Sequence, residues 1–213
     1  MGLGRLLAGH GSNRADGALI TRPRLYETAS RALFAGRGRR FRELVSRAEV
    51  ETGDRVLDVG CGTGYLAGLA ARAAGPAGSV LGVDASEPMI DFARRTTGSA
   101  FCRFEVGTAQ ALPAGDGEFD VVLSSLMLHH IPDGDQPAVL AEMRRVLRPG
   151  GRLMLADFRA PKSGLLRHAV GLFSGPRMLD DPDGRLSGLV RSAGFGVDDE
   201  GQFGLLHYVK ATA

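Results

Sequence analysis

The chain has 213 residues, 44% of them hydrophobic and 23% charged, which is enough for one compact domain with its own core. A net charge of +2 gives no reason to expect a nucleic-acid partner, and two cysteines are too few for a disulfide framework. No apolar run reaches the roughly 18 to 20 residues of a membrane span, and the first residues lack a secretory leader's long apolar stretch and small-residue cleavage site. The expectation is a cytoplasmic protein without a membrane span.

Residues 1–47 hold ten arginines against three acidic residues, a local balance of +7. Such a run suits a solvated helical face, or contact with an anionic substrate or membrane surface. Between residues 24 and 50, helix-spaced apolar positions interrupted near Gly36 and Gly38 predict two helices. From Asp54 onward the period changes. VLDV (56–59), SVLGVD (79–84), FCRFEV (101–106), FDVVLS (119–124) and GRLMLAD (151–157) read as strands, with helices YLAGLAARAA, EPMIDFARRT and QPAVLAEMRRVL between them. Ser86 ahead of Glu87 and Pro88 reads as a helix N-cap, and Pro149 and Gly150 close the apolar helix face formed by Val139, Leu140, Met143, Val146 and Leu147.

Strands alternating with helices require right-handed crossovers, and so a mostly parallel sheet covered on both faces, the doubly wound α/β arrangement. Two further runs, FGVDDEGQF and LLHYVKATA, joined by a turn near Gly204, read as strands adding an antiparallel C-terminal edge. Together these give a seven-stranded sheet preceded by N-terminal helices. The segment SGLLRHAVGLF sets Leu165, Leu166, Ala169, Val170 and Phe173 on one helical face, packed at the sheet's mouth, lying over an apolar acceptor or touching a membrane surface.

The stretch VLDVGCGTG (56–64) places Gly60, Gly62 and Gly64 between a strand and a helix, where a ligand can approach bare backbone. Position 65 is Tyr, so the dinucleotide fingerprint fails, and no Lys-Ser or Lys-Thr pair follows to make a phosphate loop. Asp84 closes the second strand, 20 residues beyond Gly64, where a carboxylate can accept both hydroxyls of a ribose. A nucleoside without a phosphate to cradle is the ligand this pattern suggests.

In order along the chain, VLDVGCGTG, LGVDAS, FDVVLSSLMLHHIPD and EMRRVLRPGGRLMLADF resemble the class I S-adenosylmethionine-dependent methyltransferases, in particular the small ubiquinone/menaquinone-methyltransferase-like group, over about residues 50–160. The resemblance implies a Rossmann-like methyltransferase fold, S-adenosyl-L-methionine as cofactor and no metal. It also implies one methyltransferase domain over 1–213: an N-terminal helical cap (1–50), a cofactor-binding core (51–160), and a substrate-side segment with a C-terminal hairpin (161–213). Asp58 and the turn of Gly60, Cys61, Gly62 and Gly64 would hold the methionine end, and Asp84 the ribose. Ala85 and Met89 would pack on the adenine. Thr108 stands before Ala109 where the family usually has an acidic residue for the adenine amino group, and Ser124 would offer a backbone carbonyl.

The same resemblance places Tyr26 in the cap over the cofactor. His129 and Asp157 are the candidates for taking a proton from the acceptor, with a structural or substrate-contacting histidine as the alternative. The implied activity is methyl transfer to a small, partly apolar metabolite such as a phenol, quinone precursor, polyketide or glycoside, on O, N or C. A non-methylating S-adenosylmethionine-binding protein of the same fold, or an RNA or protein methyltransferase, is the rival reading. The sequence does not indicate an oligomeric state.

Overall fold

A computed structural model describes residues 21–33, 37–158, 184–203 and 206–213. Helices α1 (Pro23–Leu33) and α2 (Arg37–Arg47) precede the alternating part: β1 (Arg55–Val59), α3 (Tyr65–Ala74), β2 (Ser79–Asp84), α4 (Glu87–Thr96), β3 (Cys102–Val106) and β4 (Phe119–Ser125). A 3-10 turn (Leu128–His130), α5 (Gln136–Val146), β5 (Leu147–Phe158), α6 (Arg185–Ser192), β6 (Gly196–Phe203) and β7 (Leu206–Thr212) follow. The expected apolar helix around Leu165–Phe173 and the turn at Gly204 lie outside the described residues.

The strands form one seven-stranded sheet in the order β3-β2-β1-β4-β5-β7-β6. Strands β1 to β5 run parallel to one another, and β7 is antiparallel to both β5 and β6. The expected C-terminal pair is present, with β7 inside the sheet and β6 at its edge. Their side chains explain that order. In β7, Leu206, Tyr208, Val209 and Ala211 are buried, whereas β6 carries Asp198, Asp199 and Glu200 exposed, and charge on an edge strand discourages pairing with another chain.

Successive side chains of a strand point to opposite faces, and the core divides accordingly. Val56, Val80, Val121 and Met154 pack with α2, α3 and α4, while Leu57, Leu81, Val122 and Leu153 pack with α5 and α6. Because helices cover both faces, the inner strands are mostly apolar on both sides. Helix α5 stops at Val146, earlier than its apolar period suggests, and Leu147 instead pairs with Phe119 in the sheet. Pro149 accounts for this, since its ring disfavours helical backbone at Arg148. Ser86 does occupy the N-cap of α4, where its carbonyl accepts the N–H groups of Met89 and Ile90; its hydroxyl makes no capping bond.

Strands β1 and β4 are neighbours although β2 and β3 intervene in sequence. Their carboxyl ends therefore flank the topological switch point of the sheet, where a crevice opens. Among the described residues no helix is long and apolar enough to cross a membrane. Gly64 starts α3 with φ of +78°, and a Cβ there would lie 2.7 Å from Cζ of Phe104. Gly64→Ala should lower unfolding free energy by about 1–3 kcal/mol, through left-handed strain and displacement of the Phe104 ring. Urea denaturation checks this, and an unchanged midpoint would refute it.

Candidate active site

A cavity of about 410 Å³ occupies that crevice. Its floor is the turn after β1. The N–H groups of Gly60 and Cys61 both donate to Val83 O, at 2.8 and 3.0 Å, which pins the turn to β2. A Cβ at Gly60 would lie 2.3 Å from Cγ of Met127, so the turn passes too close to the loop after β4 for any other residue. Gly62 faces the cavity and donates its N–H to Asp84 Oδ2 at 2.8 Å. Gly64 is not part of the wall.

Asp84 accepts that bond on one oxygen and the Ser86 N–H on the other, at 2.8 Å, while its carboxylate still lines the cavity. Burial pushes its carboxyl above the usual carboxylate range despite the two bonds. Since a carboxylate can accept about four hydrogen bonds, two remain for a ligand's hydroxyls. Asp58 is 1% exposed, and its Oδ2 has no hydrogen-bond partner. Burial, opposed by a bond from the Ala67 N–H and reinforced by the charge of Asp84, pushes it up to about 7. No Lys or Arg is among the described residues lining the cavity. Two carboxylates without a cation beside them suit a ligand bearing an ammonium and hydroxyls, and disfavour a phosphate.

Cys61, Ala85, Met89, Thr108 and Ala109 also line the cavity, and the Thr108 carbonyl accepts the Ala111 N–H at 3.2 Å to form the bend there. Ser124 is placed differently from the sequence expectation. Strand β4 runs one residue further, and Ser124 is buried with its hydroxyl donating to Val59 O at 2.8 Å, while Ser125 and Leu126 reach the wall. Leu126 has φ of +57°, a strained conformation for a branched side chain, held by its N–H bond to Ala156 O at 2.9 Å.

The histidine turn follows directly. Asp157, at the end of β5, accepts the His129 N–H at 2.8 Å on Oδ2 and meets His129 Nδ1 at 2.5 Å with Oδ1. A carboxylate acceptor places the proton on Nδ1 and leaves Nε2 as the basic nitrogen. Burial pushes the Asp157 carboxyl up, but the charge and side-chain bond of His129, with the N–H groups of Phe158 and His129, outweigh it, and the group lies below its ordinary value. The wall itself carries His130, not His129, and the two rings are 4.0 Å apart. Crowding in the wall and the neighbouring His129 push the His130 imidazole below its ordinary value, although the residue keeps an exposed edge.

Helices α1 and α2 supply Tyr26, Ser30 and Phe41 to the same wall. Thr63 Oγ1 donates to Glu27 Oε2 at 3.0 Å, tying α1 to the glycine turn. That tie was not legible in the sequence, because nothing local marks Glu27 as the partner of a residue 36 positions away.

A family model described as a methyltransferase domain matches residues 56–151. Demethylmenaquinone methyltransferase of Symbiobacterium thermophilum is 34% identical over 67% of this chain and 58% of its own length. The 2-phytyl-1,4-naphtoquinone methyltransferase of Synechococcus elongatus is 35% identical over 67% of this chain and 63% of its own. The chain therefore spans less than two thirds of the length of either relative. The solved structure of a SAM-dependent methyltransferase from Aquifex aeolicus superposes with a TM-score of 0.72 over 90% of this chain and 98% of its own, at 20% identity, which shows a common fold.

The raised Asp58 value carries a pH signature. Folded protein without ligand holds a proton on Asp58 up to about pH 7, while the unfolded chain releases it near the ordinary aspartate value of 3.8. Between those values the folded state binds more protons, so this group's contribution to stability is lost as pH rises through about 7. Asp58→Asn should flatten the fall in melting temperature between about pH 4 and 7 in ligand-free protein. Identical slopes in the two proteins would show that Asp58 titrates normally.

Proposed function

Because the chain belongs to the class I S-adenosylmethionine-dependent methyltransferases, we propose that it transfers a methyl group from S-adenosylmethionine to a small, partly apolar acceptor, such as a phenol or quinone precursor. The observation that supports this most directly is the unpartnered Asp58 oxygen, buried at the cavity beside Asp84. The ammonium of a methionine moiety would satisfy Asp58, and ribose hydroxyls would take the remaining acceptor positions of Asp84. Bound there, the cofactor supplies a methyl group already activated by its sulfonium.

The protein's part is then to align the acceptor, exclude water and remove a proton where the acceptor carries one. Tyr26, Ser30 and Phe41 close the cavity from the side of α1 and α2. Leu126, Met127, Ile131 and Pro132 offer the acceptor an apolar surface next to His130. We assign proton removal to the histidine turn, where His130 reaches the cavity wall and His129, paired with Asp157, lies with its ring 4.0 Å from that of His130. Asp157 fixes the His129 ring and would stabilise its imidazolium, while His130, on the wall, is suited to holding the acceptor's hydroxyl. The two relatives named above are, by their names, quinone methyltransferases, which favours a quinone-type ring among the candidate acceptors. On this reading residues 1–213 act as one domain, with 1–50 capping the core of 51–160.

Incubation with S-adenosylmethionine and hydroxylated aromatic acceptors should yield S-adenosylhomocysteine and a methylated product. Cofactor binding without any turnover would instead favour a non-methylating protein of this fold. Asp84→Ala should weaken cofactor binding roughly ten- to a hundredfold by calorimetry, and unchanged affinity in a folded variant would remove Asp84 from the site. With a hydroxyl acceptor, His129→Ala should lower kcat about a hundredfold and flatten the acidic limb of the pH profile, while cofactor affinity stays constant. Near-normal kcat would leave alignment alone as the mechanism.

A further inference from the structure

The geometry points to Gln136 as a positioning residue for the histidine turn, with Arg185 fixing the direction of its amide. This inference rests on the assignment of proton removal to the histidine turn. Gln136 is the first residue of α5 and only 2% exposed, a depth at which an uncharged polar side chain needs partners. Its Nε2 donates to Ile131 O at 3.1 Å, with longer contacts of 3.3 Å to Leu128 O and Asp133 Oδ1. Leu128 opens the 3-10 turn and Ile131 caps it, so one amide reaches both ends of the three residues Leu128–His130.

Arg185 determines which way that amide faces. Its NH2 donates to Gln136 Oε1 at 3.0 Å and to Asp133 Oδ1 at 2.8 Å. Guanidinium donates only, so the atom facing it must be the amide oxygen, and the amide nitrogen is committed to the turn's carbonyls. Arg185 is the first residue of α6, so contacts from β5 and α6 meet on one turn: Asp157 takes His129 directly, and Arg185 acts through Gln136. The turn has few bonds of its own, namely His130 N–H to Met127 O and Ile131 N–H to Leu128 O. Its incoming side is held by Leu126 in a strained conformation. A short turn with so little internal bonding keeps the His129 ring against Asp157 because side chains brace it from outside.

Gln136→Glu is the discriminating change, because a carboxylate still accepts from Arg185 but cannot donate to Leu128 O and Ile131 O. With full-length protein, Gln136→Glu and Gln136→Leu should lower kcat about tenfold or more, leave cofactor affinity within about twofold, and shift the acidic limb of the kcat profile. A second readout needs no turnover. The proton on His129 Nδ1, donated to Asp157, should give a far-downfield proton NMR signal that broadens or moves upfield in both variants. Arg185→Leu should behave like them, whereas Arg185→Lys, which keeps a donor for Oε1, should restore most of the signal and rate. An unchanged His129 signal and kcat in the Gln136 variants would overturn the proposal. Parallel loss of cofactor affinity, melting temperature and kcat would also overturn it, by making Gln136 merely structural. If the wild-type protein transfers no methyl group, the proposed function fails, and the NMR signal alone decides the role of Gln136.

Discussion

Asp58 is buried in an inner strand of the sheet, with the Ala67 N–H as partner for one part of its carboxylate and none for Oδ2. Placing an ionisable group there disfavours folding by several kcal/mol unless the group stays protonated or meets a cation. The surrounding structure is arranged to tolerate it. Leu57 and Val59, on the opposite face of the same strand, are fully buried, and β1 has parallel neighbours on both sides. The least favourable side chain is thus carried by the best-supported strand, and the first turn of α3 supplies the one N–H that reaches it. Strain of this kind persists where the remainder of the fold over-determines it, and a cationic ligand at the cavity would offset it.

The strained loop after β4 follows from the same constraint. The turn after β1 approaches that loop so closely that a methyl group at Gly60 would collide with Met127. The loop therefore bends sharply at Leu126, and its bond to Ala156 fixes where the next turn starts. Asp157 is the following residue of β5. Sheet register thus places the acid at the end of β5 beside the histidine turn, and the short contact between His129 and Asp157 follows from strand pairing, with Ser125 opposite Ala156.

Much of this was legible in the sequence because it depends on short-range patterns. Apolar runs of strand length, interrupted by helical periods, indicated the parallel core, carboxylates near strand ends marked Asp84 and Asp157 as candidates, and the family resemblance added Asp58. What was not legible depends on geometry without a repeating signal. Nothing in LHH says that His130 faces the cavity while His129 meets Asp157, because a single 3-10 turn is too short to show a period in the sequence. The one-residue extension of β4, which brings Ser125 rather than Ser124 to the wall, is a boundary set by pairing with Ala156. The ties from Glu27 to Thr63 and from Arg185 to Gln136 join residues far apart in the chain, and only the folded arrangement brings them together.

The cavity is chemically divided, and the division bears on how acceptor choice is encoded. Its carboxylate end is made from the carboxyl ends of β1 and β2, elements whose geometry is fixed by the sheet and the glycine turn. Its other end, with Leu126, Met127, His130, Ile131 and Pro132, comes from a single connection between β4 and α5. Side chains on that connection can change shape and polarity without moving Asp58 or Asp84, because the turn is held from outside by Asp157 and Gln136 rather than by its own sequence. A fold of this kind can keep one ligand-binding end constant while its acceptor end varies, which is the physical reason that family membership leaves the acceptor open.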